Sequence, residues 1–158
     1  MSQHNLWDKI KDVRVAMMTT SEDDDSLRSR PMYTQQVGFD GELWFFTADD
    51  SGKVEEISRE HQVNLSYAEP KNSRYVSVSG VADLVKDRSK IEELWSPMLK
   101  AWFKDGLDDP HLALLRVRIT EAEFWDDTSN KMSQFVGMVK AAVTGDTYTG
   151  TEHGVVKP

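Results

Sequence analysis

The chain of 158 residues contains no cysteine. That absence excludes a disulfide scaffold, a Cys-ligated zinc site, an iron–sulfur cluster and thiol catalysis together. Long apolar runs are also missing: none approaches the roughly 20 residues that span a bilayer. The opening stretch, Met1 to Asp12, is polar and mixed in charge rather than signal-like. The expectation is a cytoplasmic protein without a membrane partner. Positive charge is scarce, with 19 Lys and Arg against 27 Asp and Glu, a net charge of −8 and a pI of about 5.0. Phosphate neutralisation along a nucleic acid needs clustered Lys and Arg that such a surface does not supply. A single small anion is compatible with it.

Metal and hydrolase signatures are lacking as well. His4, His61, His111 and His153 are far apart, with no His-x-x-His or His-Glu-x-x-His spacing, so no metal is expected. The acidic run Glu22 to Asp25 has neither the glycine nor the terminal glutamate of a calcium loop and reads as a solvated turn. Asp105 to Pro110 reads as a loop. Neither a Gly-x-Ser-x-Gly elbow nor a Walker loop is present. What the chain does have is 39% hydrophobic residues and five tryptophans. That is enough to bury a core in one domain.

The order of the apolar segments sets the expected architecture. Leu6 and Ile10 lie four apart beside Trp7, which suits a short opening helix. Val13 to Thr20, Leu27 to Val37 and Glu42 to Thr47 read as three strands joined by polar turns. Parallel neighbours need about a dozen connecting residues, so these strands must pair antiparallel. A helix follows from about Ser51 to Glu60, capped from the Asp49-Asp50-Ser51 cluster. Val63 to Tyr67 and Tyr75 to Ala82 alternate cleanly and form a second hairpin. Ile91, Leu94, Trp95, Met98, Leu99, Trp102 and Phe103 recur at three and four, predicting a helix pair divided at Ser96-Pro97. Leu114 to Phe124 is a sixth strand, residues 129 to 143 have helical spacing, and residues 144 to 158 read as a polar tail beyond a domain spanning 1 to 143. About six strands with peripheral helices suit a mainly β, α+β fold, a small antiparallel barrel that is closed or partly split.

The chemistry concentrates at Thr47 and Ser51-Gly52-Lys53. A helix start leaves backbone N–H groups unpaired and carries partial positive charge, so an oxyanion placed there gains hydrogen bonds and field together. Thr47 and Ser51 add hydroxyls, Gly52 permits close backbone approach, and Lys53 adds a full charge where a cation is otherwise mildly unfavourable. An ordinary capped helix with a solvated lysine fits the same spacing. Arg28 and Arg30 lie two apart and share a strand face, with Pro31 between them marking an edge or bulge. They read either as ligands of the same anion or as partners of the acidic turn at Glu22 to Asp25.

Taken in order, five segments carry a family resemblance: Arg30-Pro31-Met32; Leu43 to Thr47 with Ser51-Gly52-Lys53; Tyr75 to Gly80; Glu93 to Pro97 with Ala101-Trp102-Phe103; and Ala122 to Trp125. In order and spacing they resemble the flavin-binding split barrels related to pyridoxamine phosphate oxidase, and within these the general stress protein 26 branch. The resemblance implies a six-stranded antiparallel split β-barrel of Greek-key type and FMN as cofactor. It implies that Arg30, Thr47, Ser51 and Lys53 hold the phosphate, with Gly52 beside them. Pro31, Met32, Tyr33 and Phe46 then line the ring, and Trp102 is a further candidate for its wall. It also implies a homodimer with two sites between subunits, Trp125 reaching the flavin from the partner. Two departures stand out. Tyr75 occupies the place of a flavin-binding glutamine, and Lys131-Met132-Ser133-Gln134-Phe135 replaces the Arg-Leu-His-Asp-Arg run with which the oxidases grip substrate. Losing those charged partners argues against pyridoxamine phosphate oxidase activity. The expectation is a flavin-dependent oxidoreductase or flavin carrier in stress response. The alternatives are a non-catalytic stress-response binding or interaction protein, or a barrel holding another planar cofactor such as haem.

Overall fold

The computed structural model describes residues 3–34, 39–127, 131–145 and 152–157. Helix α1 (Gln3–Ile10) is followed by strands β1 (Val15–Ser21), β2 (Leu27–Tyr33) and β3 (Glu42–Ala48), then by helix α2 (Gly52–Arg59). Strands β4 (Gln62–Glu69) and β5 (Arg74–Val85) form the second hairpin. Helix α3 (Arg88–Leu94), strand β6 (Leu112–Asp126), helix α4 (Lys131–Thr144) and strand β7 (Glu152–Val156) complete the chain. Among the described residues no helix is long and apolar enough to cross a membrane.

All the strand pairings are antiparallel, in the order β2-β1-β4-β5-β6-β3. The sheet curls until its two ends, β2 and β3, meet at one isolated bridge between Thr34 and Phe45. This is the split barrel that the sequence predicts. Period-two alternation fills its interior: Ala16 and Met18 of β1, Leu43 and Phe45 of β3, Leu65 and Tyr67 of β4, Val76 and Val78 of β5, and Leu115 and Val117 of β6 are all buried. Leu6 and Ile10 close one end, as their spacing in α1 predicts.

Strand β3 is apolar on both faces because it is covered on both. Leu43 and Phe45 point into the barrel, whereas Trp44 and Phe46 pack outside it with Ile91, Leu99, Phe103, Leu112 and Leu114. Phe46 meets Trp95 edge-on, with ring centroids 5.8 Å apart. This second cluster fastens α3 and the turn after it to the barrel wall beside the split.

Two expectations need correction. The second member of the predicted helix pair is only a five-residue 3-10 turn, Pro97–Ala101, so Trp102 and Phe103 leave it in different directions. Phe103 is buried and Trp102 is exposed. The tail after residue 143 is not all detached: β7 pairs with β6 from Ala122↔Val156 to Asp126↔Glu152 and adds a seventh strand. Gly154 permits this, because a Cβ there would lie 2.6 Å from the Phe124 ring. Val156 is buried in the main core.

Candidate functional site

A cleft of about 290 Å³ opens along the split. One wall is Pro31, Met32 and Tyr33 at the edge of β2, and the facing wall is Phe46, Thr47 and Ala48 of β3. Apart from the Thr34–Phe45 bridge, neither of these edges has a strand partner among the described residues. Free strand edges present unpaired backbone N–H and C=O groups. Pro31 fits such an edge because it has no N–H to donate to a ladder. Leu99, Trp102 and Phe103 of the turn after α3 form a third, apolar wall. A slot with apolar faces and polar backbone edges suits a flat heteroaromatic ring.

Lys53 lies at one end of this slot. Ser51 precedes α2 with an extended backbone, and its carbonyl accepts from the N–H groups of Val54 and Glu55. Its hydroxyl caps nothing. It lies instead 3.4 Å from the Thr47 hydroxyl and accepts from the Lys53 ammonium at 3.4 Å. Thr47 is buried. A Cβ at Gly52 would meet nothing within 4 Å, so the helix start is open to approach.

The charge on Lys53 is poorly compensated. The ammonium is half-buried and makes no ion pair among the described residues. Burial, followed by the like charge of Arg30, pulls its pKa below the ordinary lysine value, with Glu56 opposing. A cation held in these conditions gains from an incoming anion, whose charge offsets both effects. The geometry therefore joins a cationic, hydroxyl-lined pocket to an aromatic slot, and the residues fit a phosphorylated planar ligand.

Arg30 reaches the same region by a different route. Its guanidinium donates to the Thr20 hydroxyl at 2.6 Å and to the Glu56 carboxylate at 2.8 Å. Thr20 in turn donates to Glu56 at 2.5 Å. Burial alone would raise the Glu56 pKa, but the Thr20 and Arg30 hydrogen bonds and the Arg30 charge hold it below the ordinary carboxylate value. Arg28, on the same strand face, lies in solvent 3.6 Å from Glu22. Only one of the two arginines belongs to the cluster.

Of the residues the sequence singles out, Pro31, Met32, Tyr33, Phe46, Thr47 and Lys53 line the cleft, Ser51 touches Thr47 and Lys53 with Gly52 next in the chain, and Arg30 stands behind them on Thr20 and Glu56. Tyr75 and Trp125 are elsewhere. They face each other across β5 and β6 on the outside of the sheet, where Trp125 stacks on His153 of β7 with centroids 5.3 Å apart. In a single chain neither touches the cleft. Sequence reasoning missed Leu99 and Ala48 as lining residues and Glu56 as the partner of Arg30. The side chains of residues 131–135, where the departure from the oxidases falls, lie outside the described residues.

Just beyond the C-terminal end of β3, between Ala48 and Ser51, a second polar group forms. His111 Nδ1 lies 2.8 Å from Asp49 and 3.8 Å from Asp50, while Lys86 donates to the other Asp49 oxygen at 2.5 Å. The ligand atoms of His111, Asp49 and Asp50 lie within 4.8 Å of one another. The lysine already neutralises the carboxylate that a cation would need, and all three side chains reach solvent. The group ties the end of β3 to the approach to β6.

Residues 2–149 match the family model described as pyridoxamine 5'-phosphate oxidase like, and the chain belongs to that family. Among curated proteins, protein bli-3 of Neurospora crassa is 31% identical over 144 residues, covering 84% of this chain and 68% of the relative. A general stress protein 26 from Jannaschia shares the fold at a TM-score of 0.79 and 24% identity, covering 99% of this chain and 98% of that one. A general stress FMN/FAD binding protein from Xanthomonas citri aligns at a TM-score of 0.71 and 29% identity, covering 81% and 90% of the two chains.

Proposed function

We propose that this chain binds FMN in the split, with its phosphate at the start of α2 and its ring between the β2 and β3 edges, and that it serves as a flavin-dependent oxidoreductase or flavin carrier. The observation that carries the reading is the half-buried Lys53, without an ion pair among the described residues, at the end of an aromatic slot. Lys53, Ser51 and Thr47 supply the donors for a phosphate, with Arg30 close enough to add its charge. Tyr33, Phe46 and Trp102 supply ring contacts, and the strand edges supply backbone groups for the polar rim. A bound flavin supplies two-electron redox chemistry. The chain orients the ring, limits water on its buried side and leaves the Trp102 side open to a second small molecule. Among the described residues no histidine lines the cleft, which favours flavin over a histidine-ligated haem.

The same proposal includes a homodimer. Val15, Met17, Tyr33, Tyr75, Trp125 and Val155 alternate onto one outer face of the sheet, and all are exposed. A strip of large apolar side chains on one face suits burial against a second copy. At about 290 Å³ the cleft is also small for a whole cofactor, and a partner placed on that face would enlarge it and bring Trp125 towards it.

The experiment is to add FMN to the purified protein, remove the excess by gel filtration, and record the absorbance spectrum and the mass by light scattering. Flavin absorbance travelling with a dimer supports the reading. A colourless protein that leaves FMN behind overturns it and favours the non-catalytic interaction protein.

A further inference from the structure

Among the described residues Glu56 is the one carboxylate buried beside the proposed phosphate pocket, and a site for an anion is a costly place to keep a negative charge. We infer that Glu56, together with Thr20, is a positioning residue that fixes the Arg30 guanidinium for phosphate recognition. This rests on the FMN reading above and adds a residue to it.

Three contacts close a small ring. Arg30 Nη1 donates to Thr20, Arg30 Nη2 donates to Glu56 Oε2, and the Thr20 hydroxyl donates to that same oxygen. Thr20 is both acceptor and donor, which sets its hydroxyl proton on Glu56 and its lone pair on Arg30. A free arginine side chain is rich in rotamer entropy. Held at both terminal nitrogens by groups on β1 and α2, this one is already ordered. A guanidinium has five N–H groups, and these contacts use two. The other three make no hydrogen bond among the described residues and remain for an anion shared with Lys53, whose pKa is pulled down by burial first and by the Arg30 charge second.

The three ionised groups sum to one positive charge, so the carboxylate also limits repulsion between Arg30 and Lys53. Were Glu56 only a surface acid of an amphipathic helix, it would be as exposed as its neighbour Glu55. It is instead 8% exposed, beside the core residue Ile57.

The test is fluorescence titration of FMN and riboflavin into the full chain and into Glu56→Ala, Glu56→Gln and Thr20→Val. Wild type is expected to prefer FMN over riboflavin. Glu56→Ala and Thr20→Val are expected to lose about tenfold of that preference, the scale of one charge-assisted contact, with riboflavin affinity unchanged. Glu56→Gln keeps an acceptor oxygen for Arg30 and is expected to retain most of the preference. Glu56→Ala leaves a mostly buried guanidinium unpaired, so if it does not fold, Thr20→Val and Glu56→Gln carry the comparison. A purely structural role would shift both ligands equally. Unchanged preference in Glu56→Ala and Thr20→Val, or tighter FMN binding on removal of the carboxylate, overturns the inference, the second result showing that Glu56 competes with the ligand for Arg30. A wild type without preference for FMN counts against the phosphate reading itself. That outcome is separate from a wild type that prefers FMN while its variants do so equally.

Discussion

The ring of Trp102 lies 5.6 Å from that of Tyr33 at an interplanar angle of 46°, so the two aromatics meet across the mouth of the cleft from the β2 edge and the turn after α3. Trp102 is 59% exposed, an uncommon position for a tryptophan without a partner or ligand. Flavin binding in the slot should quench tryptophan emission, and Trp102→Ala should remove part of that quench. In the proposed placement Trp102 meets the ring and not the phosphate, so the variant should weaken FMN and riboflavin by the same factor, about 3- to 10-fold for one lost aromatic contact. Titration of both ligands checks this.

The docking of β7 depends on Gly154. A Cβ there would lie 2.6 Å from the Phe124 ring, and Phe124 is fully buried. Gly154→Ala should cost about 1–3 kcal/mol by overpacking, with β7 partly released and its amides exchanging faster. Gly80 stands where the β5–β6 register shifts, and its Cβ would meet the Arg118 carbonyl oxygen at 2.6 Å. Backbone yields less readily than a ring, so Gly80→Ala should be the more damaging of the two in chemical denaturation.

Tyr67 is buried in the barrel, its hydroxyl 3.0 Å from that of Thr34. Burial pushes its pKa up to about 12, with the Thr34 contact opposing. The unfolded chain ionises this phenol near 10, so folding stability from Tyr67 is complete below that pH and is lost as pH rises from 10 towards 12. Ultraviolet titration should show one tyrosine ionising only with unfolding, and Tyr67→Phe should remove it.

Glu56 works in the opposite direction. Its folded pKa lies below the ordinary value of 4.5, so its contribution is complete above that pH and is lost as pH falls through the lower folded value. Asp49, held down by Lys86 and His111, adds the same sign. Thermal melts between pH 7 and pH 3 should show falling stability, with a shallower fall in Glu56→Gln.

Most of the fold and part of the site are legible in the sequence because they rest on local pattern. β3 and the start of α2 are written in consecutive residues, and Ser51-Gly52-Lys53 points to the proposed anion site through one glycine and one cation at a helix start. Glu56 is hidden because Glu55 and Glu56 look alike in a row. Only helical phase separates them, Glu56 falling next to Ile57 on the inner side. β7 is hidden for another reason: five residues containing a glycine carry little strand preference, and the strand exists through long-range pairing to β6. The helix predicted through Trp102 fails because Pro97 and the packing of Leu99 and Phe103 settle into a 3-10 turn, which sends Trp102 outward.

The placement of a flavin phosphate at the start of α2 is tested most directly by titrating FMN and riboflavin into wild type and Lys53→Ala. The ligands differ only in the phosphate. Loss of the Lys53 contact should weaken FMN by about 10-fold or more, the value of a charge-assisted hydrogen bond, and leave riboflavin unchanged. Added salt should weaken FMN in wild type more than in the variant. Equal loss for both flavins, or no loss for either, would contradict a phosphate at Lys53.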